Sequence, residues 1–250
     1  MLAIDFASLT DRGRVRLNNE DANGQFVPET SAEIEERGVV FVVADGMGGH
    51  RGGEIASRIA VRTILAFYTT ESGADRAKAL ARAFQEANQT IIQEAVADST
   101  LFGMGTTCTA LALHQGRAYF AHVGDSRCYM LRKGKIVQVT NDHSIVGEMV
   151  RSGIITDEDA RTHPKRNVIT RSLGAQPDVS AETPDSIGLE RGDTFLLCSD
   201  GLTAYLSDDD IAVVLAMHRP EDACKMLVRM ANEQGGRDNI TVQVITVRDI

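Results

Sequence analysis

Tryptophan is absent from this sequence of 250 residues, and proline and cysteine are rare, with five and four residues. The four cysteines, Cys108, Cys128, Cys198 and Cys224, are widely spaced and form no Cys-x-x-Cys pair. This spacing argues against the disulfide framework of a small secreted domain and against a zinc site. The cysteines are therefore predicted to be buried free thiols in a reducing compartment, and we expect a cytoplasmic protein.

Long apolar runs are absent as well. The longest purely apolar run, from Val39 to Ala44, is far shorter than the ~18 residues of a membrane span. Asp5 interrupts the first apolar stretch without a preceding basic segment, so a secretory signal is not expected. Basic residues are in the minority, with 26 Lys and Arg against 35 Asp and Glu. We therefore expect neither a membrane nor a nucleic acid as a partner.

Neither an internal repeat nor a Pro-, Gly- or Ser-rich linker divides the chain, so a single domain over residues 1–250 is predicted. Apolar, β-branched runs joined by short polar turns predict antiparallel strands, and amphipathic helical patterns occur in pairs between these runs. This order is typical of the α+β class, with helix pairs covering two packed, mostly antiparallel sheets. The predicted strands are 39–44, 106–113, 118–123, 128–132, 194–199 and 240–247, and the helical patterns are 56–67, 77–95, 207–215 and 223–231.

Residues 144–174 do not follow this pattern. Two short helical segments, near 146–151 and from Thr156 onward, precede a basic stretch at 163–171. Two interpretations stay open for this segment. It is either a solvated surface insertion or a mobile flap that meets an anionic substrate.

Four aspartates lie at equivalent places beside predicted strands. Asp45 and Asp200 each follow a strand as part of an Asp-Gly pair, Asp125 follows another strand, and Asp238 precedes the last one. A single Asp-Gly is most often a turn. Strand ends of packed sheets can meet at one rim, however, where four carboxylates would repel one another without a cation. Oxygen ligands without Cys or His select a hard ion, so Mg²⁺ or Mn²⁺ is predicted.

The glycine-rich segment 45–53 runs directly into a predicted helix. It could cradle a phosphate with backbone N–H groups, although it fits neither nucleotide-binding fingerprint, or it could close around a metal with the Gly46 carbonyl as a ligand. Upstream, Arg16 lies near two acids, Glu20 and Asp21. These three form either a surface charge cluster or a site where Arg16 binds a phosphoryl group and the acids surround metal-bound waters.

Eight short motifs follow one another along almost the whole chain. They are Arg16-x-x-Asn19-Glu-Asp21, Val43-Ala-Asp-Gly-Met-Gly-Gly-His50, Gly103-Met-Gly-Thr-Thr107, Val123-Gly-Asp-Ser-Arg127, Asp142-His-Ser144, Asn167-Val-Ile-Thr-Arg171, Ser199-Asp-Gly-Leu202 and Asp238-Asn-Ile-Thr-Val242. In this order they resemble the metal-dependent protein Ser/Thr phosphatases of type 2C (the PPM family), in their bacterial form.

The resemblance implies a four-layer α-β-β-α sandwich, a flap at 144–174 and a dinuclear metal site at one end of the sandwich. By the same resemblance, Asp45 bridges two tightly bound ions of Mn²⁺ or Mg²⁺, and the Gly46 carbonyl binds one of them. Asp200 and Asp238 bind the other ion.

Further roles also follow from the resemblance. Asp125, together with Asp200, matches the position of a third, weakly bound ion. Arg16 matches the phosphate-binding arginine, while Glu20 and Asp21 match residues around the metal-bound waters.

One position departs from the family pattern. Other members carry a histidine, a proposed general acid, where this chain has Met47, and a thioether cannot donate that proton. His50, His143 or a metal-bound water could protonate the leaving group instead, and the sequence does not rank them.

The resemblance implies hydrolysis of phosphoserine and phosphothreonine in proteins by direct attack of a hydroxide that bridges the metals. The chain contains no Cys-x5-Arg motif, and no Ser-His-Asp arrangement is evident. The expected partners are phosphorylated proteins and an opposing bacterial Ser/Thr kinase, and a monomer is predicted. Two alternatives stay open: a catalytically inactive phosphoprotein-binding module of the same fold, and a metal-dependent phosphodiesterase.

Overall fold

The computed structural model describes residues 2–47, 52–70 and 75–250. In chain order the strands are β1 (Ala3–Asp11), β2 (Asp21–Phe26), β3 (Val39–Met47), β4 (Gly105–Thr106), β5 (Cys108–His114), β6 (Arg117–Val123), β7 (Arg127–Arg132), β8 (Lys135–Gln138), β9 (Ile187–Gly188), β10 (Thr194–Cys198) and β11 (Ile240–Asp249). The helices are α1 (Ser31–Arg37), α2 (Gly52–Thr70), α3 (Arg76–Ala97), α4 (Ile145–Arg151), α5 (Asp157–Thr162), α6 (Asp200–Thr203), α7 (Asp208–Met217) and α8 (Pro220–Glu233).

The strands form two antiparallel sheets. One has the order β1-β11-β10-β7-β8, and the other has the order β2-β3-β5-β6-β9 with β4 paired to β3. The apolar faces of the two sheets pack on each other, where the rings of Phe120 and Phe195 lie with centroids 6.2 Å apart. Each sheet therefore contributes one face to a shared core.

The outer faces of the two sheets are covered by helices. Ile64 of α2 and Phe84 of α3 are buried against the sheet that contains β3, and Ile211 of α7 and Leu227 of α8 are buried against the sheet that contains β11. The result is the four-layer α-β-β-α sandwich predicted from the sequence.

The position of β3 in the sandwich explains its continuous apolar run. Every residue from Val39 to Ala44 is fully buried, since one face of β3 meets the other sheet and the opposite face meets α2. A strand covered on both faces has no exposed alternate positions, so its sequence shows no polar alternation.

Two predictions about strands were incomplete. Strands β1 and β2 escaped the sequence analysis; β2 contains Asn23 and Gly24, which are poor strand formers. A Cβ on Gly24 would lie 2.7 Å from a methyl group of Val61, so glycine lets α2 pack closely here. The predicted strand 106–113 is divided at Thr107 into β4 and β5. There Asp45 N–H donates to the Thr107 hydroxyl over 3.0 Å rather than to a backbone carbonyl.

The segment 144–174, called the flap below, contains the two short helices α4 and α5. Its two ends meet where Ser144 and Ile169 form an isolated bridge. Capping explains both helix starts, since Ser144 and Thr156 accept hydrogen bonds from the N–H groups of Gly147 and Asp159. Within the described part of the chain, no helix is both long and apolar enough to cross a bilayer.

Candidate metal centre

Five aspartates meet at one rim of the sandwich and are called the aspartate cluster below: Asp21, Asp45, Asp125, Asp200 and Asp238. Asp45 lies near the end of β3, and Asp200 lies two residues after the end of β10, at the start of α6. Asp21 begins β2, and Asp125 and Asp238 precede β7 and β11. Because neighbouring strands are antiparallel, the ends of some and the starts of others come to the same rim. The four strand-end aspartates singled out in the sequence are brought together, and Asp21 joins them opposite Asp45 in the β2–β3 register.

The charges of the cluster act strongly on Asp45. Burial raises the pKa of its carboxyl well above the usual range, and the negative charges of the other four cluster members raise it further. A carboxyl whose pKa is raised in this way is stabilised by a nearby cation.

Asp200 interacts electrostatically with other members of the aspartate cluster. Burial and the charge of Asp238 raise its pKa, while a hydrogen bond with Asp45 partly offsets the rise. Burial raises the pKa of Asp125 well above its usual value, and the charge of Asp200 adds to the effect. Asp200 therefore connects the dinuclear position with the position expected for a third ion.

The donor set fits a hard divalent cation. All its members are oxygen atoms, from the five carboxylates and the Gly46 carbonyl, and Oδ1 of Asp21 is buried without a hydrogen-bond partner among the described residues. As the side chains stand, no three acidic, histidine or cysteine residues in the described part of the chain are arranged as ligands of one ion. Asp238 contacts Arg16, and Asp200 contacts Asp45.

Both Asp-Gly pairs need their glycine. A Cβ on Gly46 would lie 2.5 Å from the carbonyl oxygen of Glu20 and would overlap that of Gly53, and a Cβ on Gly201 would overlap the carbonyl oxygen of Asn239. Backbone segments from distant parts of the chain therefore close tightly around Asp45 and Asp200. This close approach distinguishes the two pairs from ordinary strand-end turns.

Arg16 lies at the edge of the aspartate cluster. Its Nη2 donates to Oδ2 of Asp238 over 2.6 Å, and its side chain remains 52% exposed. The hydrogen bond to Asp238 raises the pKa of Arg16, and burial partly opposes the effect. An exposed guanidinium beside the carboxylates can also bind an incoming phosphoryl group, because phosphate and carboxylate accept the same paired N–H donors.

Glu20 and Asp21 lie on the inner side of the cluster. The carbonyl of Glu20 accepts hydrogen bonds from Gly46 N–H at 3.1 Å and from the Ser57 hydroxyl at 2.6 Å. Ser199 donates its hydroxyl to Oδ2 of Asp21 over 2.8 Å. Burial raises the pKa of Asp21 to about 7, against hydrogen bonds that lower it. Both residues therefore lie beside the aspartates proposed as ligands, and their role around metal-bound waters stays a prediction.

Asn239 is a structural residue that the sequence analysis did not single out. Its Oδ1 accepts from Glu20 N–H at 2.8 Å, and its Nδ2 donates to the carbonyls of Arg12 and Asn18 at 2.9 Å. It therefore fixes the loop that carries Arg16 next to Asp238. The only signal was its place directly after that aspartate, inside a recognised motif.

Of the two histidines considered as a general acid, the structure describes one. His50 lies outside the described residues. The ring of His143 is buried; its Nδ1 accepts from Gly124 N–H, and its Nε2 contacts Glu182 at 2.9 Å. Both ring nitrogens are thus engaged, by Gly124 and by Glu182, so we do not carry His143 forward as a general acid.

A cavity of about 570 Å³ opens beside the cluster, with Asp125 and Asp200 in its wall. The flap forms the facing side with three arginines, Arg151, Arg161 and Arg166. Cations on that wall would attract an anionic peptide toward the carboxylates and any ions they hold. The hypothesis of a flap that meets an anionic substrate requires cations at this place.

Known proteins are similar to this chain both in sequence and in architecture. The sequence model of a family described as protein phosphatase 2C matches residues 14–239. A serine/threonine phosphatase, stp, of Listeria monocytogenes is 38% identical over 94% of this chain and 93% of its own length. A protein phosphatase, PhpP, of Streptococcus pneumoniae is 36% identical over 98% of each chain.

A solved structure is also similar to this chain. The catalytic domain of the serine/threonine protein phosphatase PstP, crystallised in complex with two manganese ions, superposes with a TM-score of 0.87, 34% identity and full coverage of both chains.

Proposed function

The chain belongs to the protein phosphatase 2C family, and from this premise we propose that it hydrolyses phosphoserine and phosphothreonine in proteins at the aspartate cluster. The observation that carries the proposal is the convergence of Asp45, Asp125, Asp200 and Asp238 at one rim with the exposed guanidinium of Arg16 beside them. Such a site places cation ligands next to a phosphate-binding group.

The metal ligands follow from the donor set. Asp45, the Gly46 carbonyl, Asp200 and Asp238 would hold two divalent ions, Mn²⁺ or Mg²⁺, and Asp125 with Asp200 would hold a third more weakly. Ions bound there supply positive charge that activates water and stabilises the phosphoryl oxygens. Asp21 and Glu20 would hold water next to these ligands through hydrogen bonds.

The thiols of the chain are unsuited to nucleophilic attack. All four cysteines are buried, and burial raises the pKa of Cys198 and of Cys224 to about 12. They remain protonated at neutral pH, and a thiol is a poor nucleophile. We therefore propose that water attacks phosphorus directly and that the serine or threonine oxygen leaves with a proton, without a phosphoenzyme.

Arg16 would orient the phosphoryl group. In the structure its guanidinium binds Asp238, so substrate binding exchanges one anionic partner for another. The arginines of the flap would meet acidic groups elsewhere on a phosphoprotein. A Ser/Thr kinase that phosphorylates the same proteins is the opposing partner that this reaction requires, and we propose a monomeric enzyme.

One assay separates this proposal from its alternatives. Purified protein is incubated with a phosphothreonine peptide, para-nitrophenyl phosphate and bis(para-nitrophenyl) phosphate, each with Mn²⁺ and with excess EDTA. We expect Mn²⁺-dependent release of phosphate from the first two substrates and little turnover of the diester. Preference for the diester would indicate a phosphodiesterase, and peptide binding without turnover would indicate an inactive binding module.

Replacement of Arg16 by alanine should lower kcat/KM on the phosphopeptide by about 10–100-fold, because a charge-assisted hydrogen bond contributes roughly 1.5–3 kcal/mol. Mn²⁺ affinity, measured by calorimetry, should not fall, since the substitution frees Asp238 from its ion pair. Arg14→Ala is the matched control: Arg14 is also exposed and lies two residues away, and its backbone N–H, which the substitution keeps, donates to the carbonyl of Gly236. A large loss of metal affinity in Arg16→Ala would assign Arg16 a structural role instead.

A further inference from the structure

Two histidines stack on each other next to Gly124, the residue before Asp125 of the aspartate cluster. The rings of His122 and His143 lie 4.9 Å apart with an interplanar angle of 30°, and both residues are almost fully buried. Neither is among the proposed metal ligands. Buried imidazoles with defined partners fix the position of the groups that they bind.

Both histidines hold the peptide groups of Gly124, the residue before Asp125. Gly124 N–H donates to Nδ1 of His143 over 3.1 Å. The Gly124 carbonyl accepts from Nε2 of His122 at 2.9 Å and from the backbone N–H of His143 at 2.7 Å. Gly124 has a φ of +109°, and a Cβ there would lie 2.5 Å from Thr107. Its conformation is therefore one that other residues rarely adopt.

The hydrogen bonds determine where the ring proton of His143 lies. Since Gly124 N–H is a donor, Nδ1 of His143 must accept, and the proton of the neutral ring is on Nε2. Nε2 then donates to Oε2 of Glu182 over 2.9 Å. The other oxygen of Glu182 accepts from Asn141 over 2.7 Å. Glu182 thus orients His143, as a carboxylate orients a metal-ligating histidine.

We propose that His143 is a positioning residue for Asp125. Oriented by Glu182 and stacked on His122, it holds the Gly124 peptide so that the Asp125 carboxyl is presented to the aspartate cluster. This inference rests on the proposed function, in which Asp125 with Asp200 holds a third ion. The interaction that matters is the acceptor at Nδ1, not a proton donated to substrate.

Two substitutions of His143 separate the roles of its two ring nitrogens. Asparagine places an oxygen near the position of Nδ1 and keeps an acceptor for Gly124 N–H, whereas glutamine reaches Glu182 and leaves that N–H without its partner. We expect His143→Gln to lower kcat on a phosphopeptide by about 10–100-fold, as loss of an orienting partner typically does, with KM little changed. We expect His143→Asn to retain most of the wild-type kcat.

A readout independent of catalysis accompanies the kinetics. Hydrogen exchange of the Gly124 amide, followed by NMR without added metal, should be slow in the wild type and in His143→Asn and faster in His143→Gln. His114→Gln is the matched control, because His114 is equally buried but binds the carbonyls of Glu35 and Glu36 on α1. It should leave kcat and the exchange of Gly124 unchanged.

A double-mutant cycle tests whether His143 acts through Asp125. If it does, His143→Gln combined with Asp125→Ala should be no slower than Asp125→Ala alone, because the effects are not additive. Additive losses, equal kcat for the Gln and Asn variants, or full activity of Asp125→Ala would each overturn the inference. An inactive wild type would instead reject the proposed function, so the two failures are distinguishable.

Discussion

Replacement of Asp200 by asparagine should reduce turnover on every phosphomonoester by on the order of 10³-fold or more, since loss of a single group from a preorganised site already costs about 10²–10³. In our proposal Asp200 is a ligand at the dinuclear position and at that of a third ion, so the substitution should weaken both. The amide keeps the size of the side chain but removes one negative charge. The measurement is kcat with a phosphopeptide at saturating Mn²⁺, together with Mn²⁺ affinity by calorimetry.

The variant can be shown to be folded by thermal unfolding in EDTA. Burial and neighbouring charge raise the pKa of Asp200 in the folded protein, so its carboxylate form opposes folding at neutral pH. Removing the charge should leave the melting temperature equal to or above that of the wild type. Asp185→Asn, at an exposed position outside the aspartate cluster, is the matched control and should be fully active. Wild-type activity of Asp200→Asn would reduce Asp200 to a turn residue.

Replacement of Asp125 by alanine should lower phosphopeptide turnover strongly while two ions still bind tightly. The two tightly bound ions would have their own ligands in Asp45, Gly46, Asp200 and Asp238, so Asp125 would not be needed for them. A group that helps to protonate the leaving oxygen matters for a serine or threonine alkoxide and much less for para-nitrophenolate, which needs little protonation. The loss should therefore be large on the phosphopeptide and small on para-nitrophenyl phosphate.

Two outcomes would contradict this assignment of Asp125. Equal losses on both substrates would remove the leaving-group role, and unchanged turnover on both would leave Asp125 as the cap of a turn. The comparison is informative because Met47, which occupies the position of a proposed general acid in the family, cannot donate a proton. Asp125 is buried beside Asp200, which is where a compensating group would act.

The sandwich could be predicted because its strands are buried on both faces. Phe41 and Val42, neighbours in β3, point to different cores, and such a strand is apolar throughout. Strand β2 could not be predicted, because its Gly24 is selected by the close approach of α2 rather than by strand preference. Packing between distant segments is not visible in local sequence patterns.

Some residues of the candidate site could likewise be predicted from the sequence, and others could not. Asp45 and Asp200 were predictable from their Asp-Gly pairs at strand ends, and Arg16 from the acids beside it. Glu182, by contrast, reaches His143 from 39 positions along the chain, with no motif around it. Residues that act by holding other residues leave little sequence signal unless they are adjacent to a ligand, as Asn239 is.

We propose that the carboxylates of the aspartate cluster and the Gly46 carbonyl bind the metal ions of this phosphatase. Crystals grown with MnCl₂ and measured at the manganese absorption edge test it directly, because anomalous scattering locates each ion. We predict two strong peaks, with ligands from Asp45, the Gly46 carbonyl, Asp200 and Asp238, and a weaker third peak between Asp125 and Asp200. Manganese bound elsewhere on the protein, or no peak at the aspartate cluster of catalytically active protein, would show that the aspartate cluster is not the metal centre.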